Sequence, residues 1–177
     1  MEQFHKRFAS WILFAIALII FASFIAFVLP NEAMESSAVT GSDRSPDGSY
    51  LYSSQDLYEM AAKYGEEGRA YYIRARFTFD LVWPVAYWFF LTTALALSFK
   101  RVAMPSRLVL LPTFAALFDL AENMAASLVM YRYPATTPFI DSLAPLFTFL
   151  KWNAIYASFA LIPVGIIWTV VSRRKKA

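Results

Sequence analysis

Four long apolar stretches, separated by polar segments, dominate the sequence. Each is long enough to cross the hydrocarbon core of a bilayer, which is roughly 30 Å thick and takes about 20 residues of α-helix. The stretches comprise residues 9–29, 77–98, 108–130 and 143–171. This pattern predicts an all-α fold, an integral membrane four-helix transmembrane bundle that forms a single domain over residues 1–177.

The polar segment between the first two stretches, residues 31–72, predicts a loop with two parts. Residues 36–53 are rich in Ser, Gly, Asp and Pro, which is typical of a flexible link. A serine cap at position 53 or 54 then predicts an amphipathic helix over residues 56–64, ended by Gly65. The apolar positions that share one face of this helix are Leu57, Met60, Ala61 and Tyr64. We expect the helix on the outer side, at the membrane interface or over the mouth of the bundle, and the pattern beyond Gly65 allows a helix that continues into the second span.

Basic residues concentrate on one side of the predicted membrane. The span ends on that side carry one acid, Glu2, and nine bases: Lys6, Arg7, Lys100, Arg101, Arg107, Arg173, Arg174, Lys175 and Lys176. Loop 31–72 carries eight acids and three bases. Because cytoplasmic segments are enriched in Lys and Arg, we expect a multi-pass protein of the cell membrane with both termini cytoplasmic and loop 31–72 outside. The first stretch also resembles a signal peptide, but its apolar run exceeds the usual length of about 7–15 residues, which favours an uncleaved span.

Composition narrows the chemistry. Hydrophobic residues make up 59% of the chain and charged residues 16%, whereas soluble domains carry about 25% charged residues. The absence of cysteine excludes disulfides, thiol redox chemistry and iron–sulfur clusters, and the single histidine, His5, excludes histidine-based metal and haem sites. The net charge of +3 averages two oppositely charged faces, and no basic stripe with stacking aromatics suggests a nucleic-acid partner. No cofactor is expected.

Charged side chains inside the predicted spans point to a site. A charge at a helix centre costs about 2.5–3.5 kcal/mol on insertion scales, so such residues normally face protein or water. Asp119, Glu122 and Asn123 are spaced i, i+3, i+4 and therefore share one stripe of the third span. Lys151 of the fourth span lies at similar depth, and Asp80 of the second span lies nearer the outer face. We expect these residues in one cleft, with Asp80 near its outer mouth.

The charges predicted for this cleft are unbalanced. Arg76 precedes Asp80 by four residues and is its expected helical partner, while Lys151 can pair with an acid of the third span. One carboxylate is then left over. Like charges this close in a low dielectric do not all ionise, so we expect Asp119 or Glu122 to hold a proton at neutral pH. A neutral buried acid can donate that proton, which makes Glu122 and Asp119 the candidate acid–base residues.

Aromatic side chains flank the cleft. Trp83 and Tyr87 share a helix face with Asp80, and Trp152 follows Lys151. Aromatic walls around carboxylates suit a lipophilic molecule with one polar or cationic end. We therefore expect a pocket, open toward the outer side, that binds a lipophilic small molecule or a membrane lipid, with acid–base chemistry on that ligand as a further hypothesis. The predicted ligand-binding residues are Asp80, Trp83, Tyr87, Asn123, Lys151 and Trp152.

Two other interpretations stay open. Buried polar networks also hold helices together in membranes, so a Glu122–Lys151 pair could serve only to fix helix register. The protein would then be a non-enzymatic accessory or assembly subunit that meets a membrane-protein partner through loop 31–72. Alternatively, the Asp119-x-x-Glu122 spacing offers oxygen ligands for a divalent cation. Lys151 at similar depth would compete with that cation, so no metal is expected.

Overall fold

The fold is entirely helical over the residues that the structure describes. The computed structural model describes residues 7–100 and 108–174, of which 84% are helical and none lies in a strand. Four helical segments in these ranges are long and apolar enough to span a membrane. Within the described residues, this confirms the predicted all-α fold and the presence of four helices long and apolar enough to span a membrane.

The first helical segment is longer than the sequence predicts. Helix α1 (Trp11–Ser23) continues through a π-helical turn (Phe24–Val28) into α2 (Leu29–Thr40), which ends at Gly41 with φ +62°. The interpretation of residues 36–53 as a flexible link is therefore wrong for residues 36–40. The helix that contains them, α2, is held against the following helix: the Tyr71 hydroxyl donates a hydrogen bond of 2.9 Å to the Glu32 carboxylate.

Residues 41–53 form a folded-back connection that leads to α3 (Ser54–Arg76). As predicted, a serine caps this helix: the Ser53 hydroxyl accepts from the backbone N–H of Asp56, and the Asp56 carboxylate accepts from the backbone N–H of Ser53 at 2.8 Å. Gly65, with φ +64° and ψ −175°, interrupts the helix where the sequence predicts its end, and helical structure then resumes up to Arg76. A backbone with this positive φ suits glycine, which lacks a Cβ.

The remaining helices agree with the predicted stretches to within a few residues. They are α4 (Phe79–Ser98), α5 (Leu111–Arg132), preceded by a 3₁₀ turn (Leu108–Leu110), and α6 (Ile140–Arg174). A break at Phe77 and Thr78 separates α3 from α4, so the helix does not run without interruption into the second apolar stretch. Several residues that predict the cytoplasmic side lie outside the described residues: Glu2, Lys6, Arg101, Arg107, Lys175 and Lys176.

Packing gives the bundle two cores and leaves α1 at its periphery. In one core, the predicted apolar face of α3 is buried against α5, around Ala126, Val129 and Met130. In the other, Ala17 of α1 packs with α4 around Tyr87, Phe90 and Leu91, and with residues of α5 and α6. α5 and α6 pack closely along their length, whereas α1 contacts mainly α4. A space between α1 and α6 results, and the candidate site lies there.

Candidate functional site

One buried ion cluster joins α4, α5 and α6. The Lys151 Nζ atom lies 2.5 Å from Glu122 Oε2 and 3.3 Å from Asp119 Oδ1. On its other oxygen, Asp119 accepts a hydrogen bond of 2.9 Å from the Tyr87 hydroxyl. These side chains are all buried. The i, i+3 spacing of the two acids places both on the stripe of α5 that faces Lys151, which is why one lysine reaches both.

A second ion cluster joins the connection 41–53 to α3 and α4. The Arg76 guanidinium lies 2.7 Å from the Asp47 carboxylate and 3.0 Å from Asp80, the partner predicted from their i, i+4 spacing. It also lies over the ring of Tyr72, 4.9 Å from the ring centre. Desolvation raises the pKa of Asp47, but the positive charges of Arg76 and Lys151 outweigh it and hold that pKa below its ordinary value.

Sequence reasoning missed Asp47. It belongs to the segment Ser45-Pro46-Asp47-Gly48, whose residues are typical of a turn, and the Ser49 N–H does bond to the Pro46 carbonyl at 3.0 Å. A turn motif does not reveal which helices the turn will touch, since that depends on how the chain folds back. The only available signal was the surplus of acids in loop 31–72, which did not single out this one.

Two hydrogen bonds, one from Trp152 and one involving Tyr52, hold the connection 41–53 against α6. The Trp152 indole donates to the backbone carbonyl of Asp47 at 3.2 Å. The Tyr52 hydroxyl lies 3.2 Å from the Thr148 hydroxyl. Burial raises the pKa of Tyr52, and the negative charge of Glu122 adds to the effect, so the Tyr52 hydroxyl stays protonated near the ion cluster. The connection is thereby fixed at the level of both ion clusters.

A cavity of about 400 Å³ lies beside the two clusters. Among the described residues, seven aromatic side chains line it, with Ile25, Leu29, Ile155 and Gly48 beside them: Phe21, Phe79, Trp83, Tyr87, Trp152, Tyr156 and Phe159. Its charged lining, within the same part of the chain, consists of Asp47, Asp80, Asp119 and Lys151. The cavity is therefore apolar on its walls and charged at one end.

The rim of the cavity is open between α1 and α6. Ile25 is 48% exposed, Tyr156 52% and Phe159 40%, whereas Tyr87 and Asp119 at the charged end are almost fully buried. Phe21 and Phe159 approach each other across the gap, with ring centres 6.4 Å apart. Gly48 of the connection 41–53 also lines the cavity and is exposed. A molecule that occupies this cavity is therefore accessible from the side of the bundle.

The structure divides the eight predicted site residues into two groups. The six that line the cavity are Asp80, Trp83, Tyr87, Asp119, Lys151 and Trp152. Glu122 and Asn123 do not line it and are completely buried within the bundle. Glu122 contacts Lys151, and neither side-chain polar atom of Asn123 has a hydrogen-bond partner among the described residues. The predicted cleft is therefore narrower than the α5 stripe that suggested it.

The charges of the two clusters do not balance. Within the described residues, four carboxylates (Asp47, Asp80, Asp119 and Glu122) surround two cations, Arg76 and Lys151. Each cation is shared by two acids, so the fully ionised site carries two excess negative charges. No group of three or more His, Cys, Asp or Glu side chains in the described ranges is arranged to hold a metal ion.

Comparison with known proteins adds no assignment. No protein-family model, curated protein or solved structure matches this chain. The function must therefore be inferred from the site itself.

Proposed function

We propose that this chain is a multi-pass protein of the cell membrane whose cavity binds a lipophilic small molecule or a lipid. In this proposal both termini are cytoplasmic and α3 is an amphipathic helix on the outer side. The exposed surface supports membrane insertion, because large apolar side chains cover the free face of α1 and the π-helical turn that follows it, among them Ile12 at 74% exposed and Phe27 at 68%. In water such a surface would be an aggregation liability, but in lipid it is an ordinary one.

The observation that carries the binding function is the cavity itself. Its volume of about 400 Å³ lies within the range of about 300–1,000 Å³ found for small-molecule sites. Such sites combine mostly apolar walls with a few fixed polar groups, which is the composition seen here. The aromatic walls would hold the apolar part of a ligand, while the charged end around Asp47, Asp80 and Asp119 would hold its polar part.

A purely structural role accounts for the ion pairs but not for the cavity beside them. Ion pairs can fix the register of α4, α5 and α6 without any ligand. Protein interiors, however, contain few voids larger than a water molecule, and one water occupies about 30 Å³ in the liquid. A cavity of about 400 Å³ next to unbalanced charges is more than register requires, and this favours binding over the accessory-subunit interpretation.

Acid–base chemistry on the ligand would fall to Asp119 rather than to Glu122. Asp119 lines the cavity and is held by Tyr87 and Lys151, so its carboxylate can exchange a proton with a bound molecule. Glu122 does not line the cavity, but it contacts Lys151, which does. A role for Glu122 in proton transfer would therefore pass through Lys151.

Filling the cavity tests the binding function. We expect the wild-type chain, purified in mild detergent, to retain a non-covalently bound lipid or lipid-sized molecule that native mass spectrometry detects. Ile155→Trp places a larger side chain in the cavity wall and should abolish this retention. Leu146→Trp is the matched control, because Leu146 lies on the same helix, is half-exposed and does not line the cavity.

A second variant guards against misfolding of Ile155→Trp. Ile25 lies at the half-exposed rim, where a larger ring needs no rearrangement of the core, so Ile25→Trp should reduce retention while leaving the melting temperature unchanged. Equal retention in the wild type, both cavity variants and the control would contradict a ligand in this cavity. Absence of any bound molecule from all four proteins would contradict it as well.

A further inference from the structure

We propose that the ligand is an amphiphile with a positively charged head, and that the head lies beside Asp47 and Trp152 while the chain leaves between α1 and α6. This inference rests on the proposed binding function and specifies the class of ligand. Three features carry it: the charge balance at the end of the cavity, the aromatic walls next to that end, and the open rim.

The charge balance calls for a cation. Of the described charged groups that line the cavity, three are carboxylates and one is a lysine, Lys151, which is already shared by Asp119 and Glu122. The Asp47 and Asp80 carboxylates share Arg76. Carboxylates this close in a low dielectric do not all ionise, so a cationic head would favour their charged forms and be held by them, whereas an anionic head would be repelled.

Asp47 is the acid best placed to receive the head. Its Oδ2 atom contacts Arg76, but its Oδ1 atom is buried and has no hydrogen-bond partner among the described residues. Its side chain retains 26% of its exposure and lines the cavity beside Gly48. The Asp47 carboxylate therefore brings negative charge to the cavity wall, and this charge attracts an ammonium head whether or not the head carries an N–H group.

The aromatic walls supply a surface that attracts a cation. Trp152 stacks on Tyr156, with ring centres 5.5 Å apart and planes inclined by 26°. Across the cavity, Trp83 stacks on Phe21 with a centre distance of 5.6 Å. The faces of such rings attract ammonium groups within about 6 Å, and the Lys151 ammonium already lies 5.7 Å from the Trp152 ring centre. A quaternary ammonium, which needs no hydrogen bonds, fits this wall particularly well.

The open rim determines where the apolar part goes. Ile25 of the π-helical turn after α1 and Tyr156 and Phe159 of α6 are half-exposed and line this rim. In the proposed membrane orientation this gap faces lipid, so an alkyl chain can extend from the cavity into the bilayer without crossing water. A charged head held inside and an apolar chain held outside define a single-chain cationic amphiphile rather than a water-soluble amine.

Photo-crosslinking in nanodiscs of neutral phosphatidylcholine tests the ligand class. Three probes share a dodecyl chain with a diazirine and differ only in the head: trimethylammonium, hydroxyl or sulfate. At equal mole fraction in the membrane, we expect the ammonium probe to label residues 21–29 and 152–159 at least tenfold more than the other two. Excess dodecyltrimethylammonium should compete with this labelling. Peptide mapping distinguishes labelling of the cavity residues from labelling of lipid-facing residues by probe that is dissolved in the bilayer.

Variants of Asp47 connect the selectivity to the structure. Asp47→Asn should reduce the labelling ratio of ammonium to hydroxyl several-fold, and Asp47→Glu, which keeps the charge, should largely preserve it. Asp43→Asn is the control, because Asp43 is an exposed acid of the same connection that does not line the cavity. Arg76 keeps Asp80 as a partner in Asp47→Asn, and a single cooperative unfolding transition in each variant would show that the fold is retained.

The outcomes separate this inference from the proposed function. Equal labelling of the cavity by the ammonium and hydroxyl probes would overturn the cationic head but leave a lipophilic ligand in place. Preference for the sulfate probe would overturn the charge argument. An undiminished ammonium preference in Asp47→Asn would overturn the position of the head. If none of the probes labels residues 21–29 or 152–159 more strongly than it labels lipid-facing residues outside the cavity, the binding function itself fails.

Discussion

The cluster of Lys151 with Glu122 and Asp119 gives a sharp prediction because one cation serves two acids. Lys151→Met removes the cation and leaves two carboxylates facing each other in the bundle, where each is at most 3% exposed. Glu122→Gln removes the charge of one acid while its amide oxygen can still accept from Lys151, which keeps Asp119 as its ionic partner at 3.3 Å. The two substitutions should therefore have very different effects on stability.

The expected magnitudes follow from burial. Removing one partner of a buried ion pair costs about 3–5 kcal/mol, because the remaining charge is left uncompensated. Lys151→Met should cost that much. Glu122→Gln should cost less than about 1.5 kcal/mol, the upper end for one ordinary hydrogen bond, and can stabilise the protein because it reduces the excess of negative charge. Combined with Lys151→Met, it should restore about 0.5–3 kcal/mol relative to the sum of the single effects.

Thermal unfolding in lipid nanodiscs, followed by tryptophan fluorescence, measures these differences. For a chain of this size, 1 kcal/mol corresponds to about 2–4 °C, so Lys151→Met should lower the melting temperature by about 6–20 °C. Glu122→Gln should leave it nearly unchanged or raise it. A loss in Glu122→Gln as large as that in Lys151→Met would refute the reasoning, because it would show that Asp119 alone cannot satisfy the lysine. Additive effects in the double variant would show that the pair is not coupled.

Three further predictions follow from the structure. Gly165→Ala should destabilise the protein by about 1–3 kcal/mol through overpacking, since its new Cβ would lie 2.5 Å from the Phe99 ring; an unchanged melting temperature would contradict the close approach of α4 and α6. A bulky maleimide on Ile25→Cys, a unique thiol in a chain without cysteine, should block lipid retention, whereas the same label on Ile19→Cys, which is exposed and outside the cavity, should not. Because Arg76 and Lys151 lower the Asp47 pKa against the effect of burial, the stability difference between wild type and Asp47→Asn should be constant above about pH 5 and should shrink as the pH falls below the ordinary aspartate value of about 3.9; a difference independent of pH down to the acid limit would contradict the ion pair.

The helices were predictable to the extent that local sequence determines them. Apolar runs of about 20 residues and a serine cap with an acid three residues later are local signals, and α4, α5 and the start of α3 follow them. The end of α2 was not predictable in this way. Residues 36–40 have the composition of a link but are helical, because contacts with α3 support them: Thr40 lies so close to Gly68 that a Cβ added there would be 3.1 Å from the Thr40 Cα.

The site was predictable where its residues share one helix or follow its periodicity. The stripe of α5 and the Arg76–Asp80 spacing follow from 3.6 residues per turn, and six of the residues predicted from such patterns line the cavity. Asp47 and the α1 wall were not predictable, because their positions depend on how separate elements dock. Glu122 was wrongly expected in the cavity: it shares a stripe of α5 with Asp119, but which residues of a stripe reach a cavity depends on how the neighbouring helices pack.

Residues 32–64 contact the bundle, so deleting them cannot test whether the protein is an accessory subunit that binds a partner through loop 31–72. Deleting residues 32–64 would remove Asp47 from Arg76 and strip the apolar face of α3 from the core around α5. Loss of a partner after that deletion would therefore say nothing about where the partner binds. Substitutions of exposed residues avoid the ambiguity: Met34 and Leu51 are each about two-thirds exposed and line no part of the cavity. A partner that Met34→Ser or Leu51→Ser releases, while lipid retention persists, would bind the loop surface itself, and both roles could then belong to one protein because they use different residues.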